Sequence, residues 1–145
     1  MPRFLNTPSF RKEDGSMLSE ADLAAQTAFA AALPLLIGCP MLGEEMTAQQ
    51  QADLWHNHSD GLWIVDPIDG TNNFVAQKAD FAVVLAYFEN GIGQFGVIYD
   101  VIGDKLYHGG GQFDVYCNEQ KLPSYQDRPL NQFLMASSQI TIGLT

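Results

Sequence analysis

Apolar residues fill every position of Leu62-Trp63-Ile64-Val65, with no polar alternation. That pattern predicts a short strand buried on both faces. Pro67 cannot donate to a sheet ladder, so the strand is expected to end at Asp66. Gly70 permits a sharp turn, after which residues 71–76 are expected to open a short helix. Earlier in the chain, Ser19-Glu20-Ala21-Asp22 sets a serine three residues before an acid, which is a helix-start pattern. The alanine-rich run 21–33 has high helix propensity, and Pro34 is expected to stop or kink it. Residues 1–18, with Pro2, Pro8 and Gly15, read as irregular.

Met41-Leu42-Gly43 predicts a short strand, and Thr47-Ala48-Gln49-Gln50 a second capped helix reaching about Trp55. Segment 81–89 is β-rich and apolar, Asn90-Gly91 is a hairpin signal, and 92–99 reads as the returning strand. Two more strands, 105–108 and 113–117, flank Gly109-Gly110-Gly111, and 133–137 reads as a last one. No Lys-Ser/Thr pair or G-x-G-x-x-G frame accompanies the three glycines, so a bulge or a close backbone approach is expected there. Strand runs with segregated helices predict an α+β fold.

Composition adds limits to this picture. The chain has 145 residues, 46% hydrophobic and 17% charged, enough for one domain with a real core. A formal net charge of −10 argues against a nucleic-acid or anionic-membrane partner. Cys39 and Cys117 form no metal or redox motif, and a reducing cytoplasm is the simplest setting. The opening Met1-Pro2-Arg3-Phe4-Leu5-Asn6 lacks the apolar core of a signal peptide. No apolar run approaches the ~20 residues that a spanning helix needs.

The candidate chemistry gathers where the buried strand ends. Asp66 and Asp69 bracket Pro67, and a helix start with unpaired N–H groups follows at Gly70 and Thr71. Carboxylate and carbonyl oxygens are the ligands Mg²⁺ prefers, and it takes one or two carboxylates plus substrate phosphate and water. Unpaired N–H groups attract the anion. The plainer alternative is a turn between two core elements, since Asp, Pro and Gly are common turn residues. An EF-hand loop fits badly, because Ile68 breaks the alternation of ligands. Asp22 has a structural task available as the acid of a capping box. Glu44 and Glu45 follow an apolar run and a glycine, which can aim one of them inward. His56 and His58 stand two apart without a third soft ligand and read as loop surface.

Asp66-Pro67-Ile68-Asp69-Gly70-Thr71-Asn72-Asn73-Phe74 resembles the signature of the inositol monophosphatase family, the Mg²⁺-dependent, lithium-sensitive phosphomonoesterases. Lys12-Glu13-Asp14-Gly15-Ser16 with Ser19-Glu20-Ala21-Asp22, then Leu42-Gly43-Glu44-Glu45, and the glycine-rich region from Gly109 to Leu122 match in the same order. The similarity spans about residues 10–140. It implies that Glu44, Asp66 and the backbone oxygen of Ile68 hold a first, activating Mg²⁺, and that Asp66 and Asp69 hold a second. Two or three ions belong to a complete site. Gly70 and Thr71 would offer N–H groups to the phosphate, with Asp69 beside it. Thr71 would orient the attacking water, Asp22 would accept from its hydroxyl, and Glu44 would help draw off the proton. Carboxylates at 44, 66 and 69 would form a cluster of three negative charges that repel one another without a cation. Ser19 stands where the family more often has threonine.

The resemblance also sets expectations about extent. Family members continue into a second α/β half carrying a Trp-Asp motif, and no Trp-Asp follows Trp63 here. The family's usual first helix, before the Lys12 region, is also missing. The chain is therefore expected to be one partial domain, 1–145, truncated at both ends. It would hold the helix-plus-antiparallel-sheet portion of a layered αβαβα sandwich. An exposed sheet edge would invite self-association, giving a homodimer. Two functional classes stand open. One is a phosphomonoesterase acting on inositol monophosphate, histidinol phosphate, a sugar bisphosphate or a nucleotide 3′-phosphate. The other is a metal-binding module without turnover.

Overall fold

The computed structural model describes residues 8–11, 17–58 and 60–123. Two short strands, β1 (Ser9–Arg11) and β2 (Met17–Ser19), pair antiparallel, and α1 (Glu20–Leu36) follows directly. Then come β3 (Met41–Gly43), α2 (Ala48–Asn57), β4 (Leu62–Asp69) and α3 (Thr71–Val75). The chain continues with β5 (Ala82–Glu89), β6 (Ile92–Asp100), β7 (Lys105–Gly110), β8 (Phe113–Cys117) and β9 (Gln120–Lys121). β3 to β9 form one seven-stranded sheet in chain order. All neighbours are antiparallel except β3 and β4, which run parallel. A parallel neighbour requires a crossover, and α2 supplies it. The sheet is thus mixed at one edge, where a purely antiparallel one was expected.

Both capping boxes form. Ser19 and Asp22 cap α1, and Thr47 and Gln50 cap α2. Pro34 does not stop α1, which runs on to Leu36 before the Ile37 N–H closes on the Leu33 carbonyl at 3.2 Å. That continuation costs little in packing, since Leu35 and Leu36 are 86% and 74% exposed. α2 reaches Asn57, so His56 lies in a helix and not in a loop. The stretch expected to be irregular contains β1 and β2, whose pairing leads straight into the α1 cap. The expected strand at 133–137 and the Lys12–Ser16 part of the resemblance lie outside the described residues.

β4 is the spine of the molecule. Leu62, Trp63, Val65, Pro67 and Ile68 are all buried, as the unbroken apolar run predicts. One face of the sheet packs Met41, Trp63, Val65 and Tyr87 against Leu33 of α1, with Phe29, Leu85 and Phe95 around them. Burying a side chain such as Val65 stabilises by roughly 1.5–3 kcal/mol. Contrary to expectation, β4 does not end at Asp66 but runs to Asp69. Its pairing with β5 jumps from Asp66 to Asp69, so Pro67 falls in the bulge, where no N–H is asked of it.

The remaining turns follow their residues. Asn90 and Gly91 take φ of 51° and 72°, joining β5 to β6 in a tight hairpin. The glycine triplet makes both of its expected features. The β7–β8 register shifts between His108 and Gly110, and a Cβ on Gly109 would overlap the Asp114 carbonyl. Among the described residues, no helix is long and apolar enough to cross a membrane.

Candidate functional site

Three segments meet at the far end of β4. The first is the bulge itself, where Asp66 Oδ1 accepts the Ile68 N–H at 3.2 Å and folds the chain around Pro67. Asp66 is left half-buried, Ile68 is buried, and Asp69 is exposed beyond the bulge.

The second segment arrives on β3. Gly43 pairs with Val65, so Glu44 comes to stand beside Asp66. The Glu44 N–H donates to the Val65 carbonyl at 3.2 Å, which fixes that neighbourhood. The two carboxyl groups hydrogen-bond to each other. Burial, the Glu44 charge and this bond, with Asp69 adding to them, push Asp66 up to about 7, opposed only by the Ile68 N–H.

Among the described residues, no three His, Cys, Asp or Glu side chains converge closely enough to hold a metal ion. The carboxylates expected to gather at 44, 66 and 69 lie as a close pair, Glu44 and Asp66, with Asp69 exposed beside them and its charge still felt at Asp66. Like-charge repulsion and the bulge both favour that spread. The pair offers carboxylate oxygens, and the Ile68 carbonyl, which accepts from the Thr71 hydroxyl, follows two residues after Asp66. That set suits a hard cation, with water and phosphate completing the shell.

The third segment is the start of α1. Asp22 and Ser19 are both fully buried. Asp22 Oδ2 accepts from the Ser19 N–H at 2.8 Å and from the Ser19 hydroxyl at 2.5 Å. Its other oxygen, Oδ1, lies 3.4 Å from the Thr71 hydroxyl. One carboxylate thus caps a helix with one oxygen and faces the site with the other. The Thr71 hydroxyl also reaches the Ile68 carbonyl at 3.0 Å. With a single hydrogen, it serves one acceptor at a time.

Gly70 caps α3 with φ 92°, and its carbonyl accepts the Asn73 and Phe74 N–H groups at 2.8 and 3.1 Å. A Cβ there would meet the Asp80 carbonyl at 2.8 Å, so glycine is needed for both conformation and space. Asn73 closes the same loop by donating to Asp80 O at 2.7 Å. A cleft of about 580 Å³ adjoins the site, lined by Asp69, Gly70, Asn73, Phe81 and Asp100 among others.

The structure thus brings together Asp22, Glu44, Asp66, Ile68 and Thr71, with Asp69 and Gly70 at the edge. His56 and His58 lie at the opposite end of β4, beside Trp55, Leu62 and Phe88. Sequence reasoning missed Gln26 and Gln51, which hydrogen-bond the backbone around Glu44. Gln26 is one helical turn after Asp22 and so shares its face, a usable signal. Gln51 sits in a run of three glutamines, and nothing in that run marks the one that turns inward.

The model of the inositol monophosphatase family matches residues 5–141. The inositol-1-monophosphatase of Bacillus subtilis is 42% identical over 99 residues, covering 68% of this chain and 36% of that protein. A staphylococcal inositol monophosphatase-1, solved as a lithium chloride-soaked inhibitory complex, superposes with a TM-score of 0.74 at 28% identity. That match covers 88% of this chain and 47% of the other. An inositol monophosphatase/NADP phosphatase complexed with Mg²⁺ and phosphate gives a TM-score of 0.68 at 29% identity, covering 79% and 43%. The chain spans between about a third and a half of the length of these relatives. Fold, order of motifs and family match agree: this chain belongs to the inositol monophosphatase family.

Proposed function

We propose that this chain carries the metal- and water-handling part of a phosphomonoesterase acting on inositol monophosphate or a related small phosphorylated alcohol. The observation that carries the reading is the close Glu44–Asp66 pair, which the β3–β4 register and the Glu44 N–H bond to the Val65 carbonyl hold side by side. Two carboxyl groups held this close are costly unless a proton or a cation sits between them. Relatives solved with Mg²⁺ and phosphate, or with lithium, support the cation.

Glu44, Asp66 and the Ile68 carbonyl would hold one Mg²⁺, and Asp66 with Asp69 a second. Bound Mg²⁺ supplies charge neutralisation of the phosphate dianion and a lowered pKa for water. The chain's own groups do the rest. Gly70 and Thr71 offer N–H groups at the start of a short helix, where no intrahelical acceptor competes. Thr71 orients the attacking water through its hydroxyl, and Asp22 Oδ1 accepts the hydroxyl hydrogen. Asp22 can hold that position because its other oxygen is fixed by Ser19. Glu44, exposed at the mouth, takes the proton from water. Phosphoryl transfer asks for this kind of positioning more than for covalent chemistry. Free cysteines at 39 and 117 and the excess of acid support a cytoplasmic enzyme that avoids nucleic acid.

The test is release of inorganic phosphate from inositol 1-phosphate, with and without Mg²⁺, against a Glu44→Gln control. Mg²⁺-dependent release abolished by Glu44→Gln is the expected result. Release indifferent to Glu44→Gln would overturn the assignment. Mg²⁺ binding without release would favour the metal-binding module.

A further inference from the structure

We propose that Gln26 and Gln51 form an amide clamp on the Gly43-Glu44-Glu45 turn and are positioning residues for the cation held at Glu44. The proposal rests on the reading of Glu44 and Asp66 as metal ligands and extends it to side chains that touch neither substrate nor ion. Gln26, on α1, accepts the Glu45 N–H through Oε1 at 3.0 Å. Its side chain passes so close over Gly43 that any Cβ at that position would overlap it. Gln51, on α2, donates through Nε2 to the Gly43 carbonyl and to the Glu44 carbonyl, each at 3.1 Å.

The two amides have opposite chemistry, and the partners force it. Gln26 faces an N–H and must present oxygen, whereas Gln51 faces two carbonyls and must present its NH₂ group. The Glu44 N–H is already committed to Val65 O, and the Met46 N–H reaches Gly43 O at 3.3 Å. The backbone on both sides of Glu44 is thus tied to β4, α1 and α2. Without the two glutamines the turn would lose these hydrogen bonds to α1 and α2, and the Glu44 carboxylate would be held less firmly against Asp66. Groups that orient a metal ligand without touching the metal commonly affect affinity by about 10–100-fold.

The same substitution at the two positions separates this account from a charge effect. Gln26→Glu keeps an acceptor for the Glu45 N–H, and Gln51→Glu sets carboxylate oxygens against two carbonyls. Both add one negative charge near the site, which by itself would favour a cation equally. The experiment is Mg²⁺ titration by calorimetry of the intact chain and its variants, with amide hydrogen exchange at Glu45. We expect Gln26→Glu to bind Mg²⁺ at least as tightly as wild type. Gln51→Glu should bind about 10–100-fold more weakly, and Gln26→Leu about tenfold more weakly with faster exchange at Glu45. Both glutamines are only half-buried, so the variants should fold, and the Glu45 exchange readout stands without metal. Tight binding by Gln51→Glu and Gln26→Leu, with Glu44→Gln inactive in binding, would overturn the clamp and leave the site standing. Equal binding by wild type and Glu44→Gln would instead overturn the site reading itself.

Discussion

Asp22, in the first turn of α1, and Asp66, at the bulge of β4, are both aspartates, yet the fold treats them in opposite ways. Asp22 is fully buried, and donors surround it: the Ser19 N–H, the Ser19 hydroxyl and the Thr71 hydroxyl. Asp66 is half-buried and surrounded mainly by acceptors, Glu44 and Asp69, with one N–H in its favour. A buried carboxylate with donors is a finished structural part. A carboxylate among carboxylates is stable only with a proton or a cation. On the proposed reading, the second region is the binding centre and the first its support.

The sharpest way to break this contrast is Asp66→Asn. Mg²⁺ at about a hundredfold over its Kd should stabilise the chain by about 2.7 kcal/mol, and Asp66→Asn should remove that response. Thermal melts with and without Mg²⁺ read it directly, and an unchanged Mg²⁺ shift in the variant would contradict the account. In the absence of Mg²⁺ the same variant should be at least as stable as wild type, since it relieves repulsion.

Asp22→Ala should behave in the reverse way, costing about 2 kcal/mol by stranding buried donors and uncapping α1. Denaturant midpoints check this, and a loss below about 0.5 kcal/mol would mean the box is not a structural part. Gly70→Ala should cost about 1–2 kcal/mol, from left-handed backbone and from contact with the Asp80 carbonyl. Its unfolding should stay cooperative in the same measurement.

A further effect is in pH. Asp66 is raised from an ordinary 3.8 to about 7, so the folded chain binds more protons than the unfolded chain between those values. Stability from this group is present below about pH 4 and is lost as pH rises through 7. Because proton and cation compete for the same oxygens, Mg²⁺ affinity should rise over the same range. Asp66→Asn should flatten this group's contribution to stability, and pH-dependent melts would show whether it does.

Much of this was legible from residues. The run at 62–65, the two capping boxes and Asn90-Gly91 each specify local structure through their own chemistry, and each forms. Asp66, Asp69, Gly70 and Thr71 stood out because a proline and a glycine so close together leave the chain few ways to run, although the strand end expected at Asp66 does not occur. Three features were not legible, because they depend on what lies across space. β4 continues past Pro67 only because β5 accommodates a bulge there. β3 joins parallel only because α2 carries the chain over. Gln26 and Gln51 matter only because the turn after β3 lies between two helices. Asp22 shows how local evidence can be right and incomplete: its capping role is real, and its second oxygen faces Thr71.

The most direct test of the central claim is a crystal structure with Mg²⁺, with Mn²⁺ substituted for its anomalous signal. The account predicts an ion coordinated by Glu44, Asp66 and the Ile68 carbonyl, with Mg²⁺–oxygen distances of about 2.0–2.1 Å. An ion bound elsewhere, with Glu44 and Asp66 still hydrogen-bonded to each other at saturating metal, would contradict it.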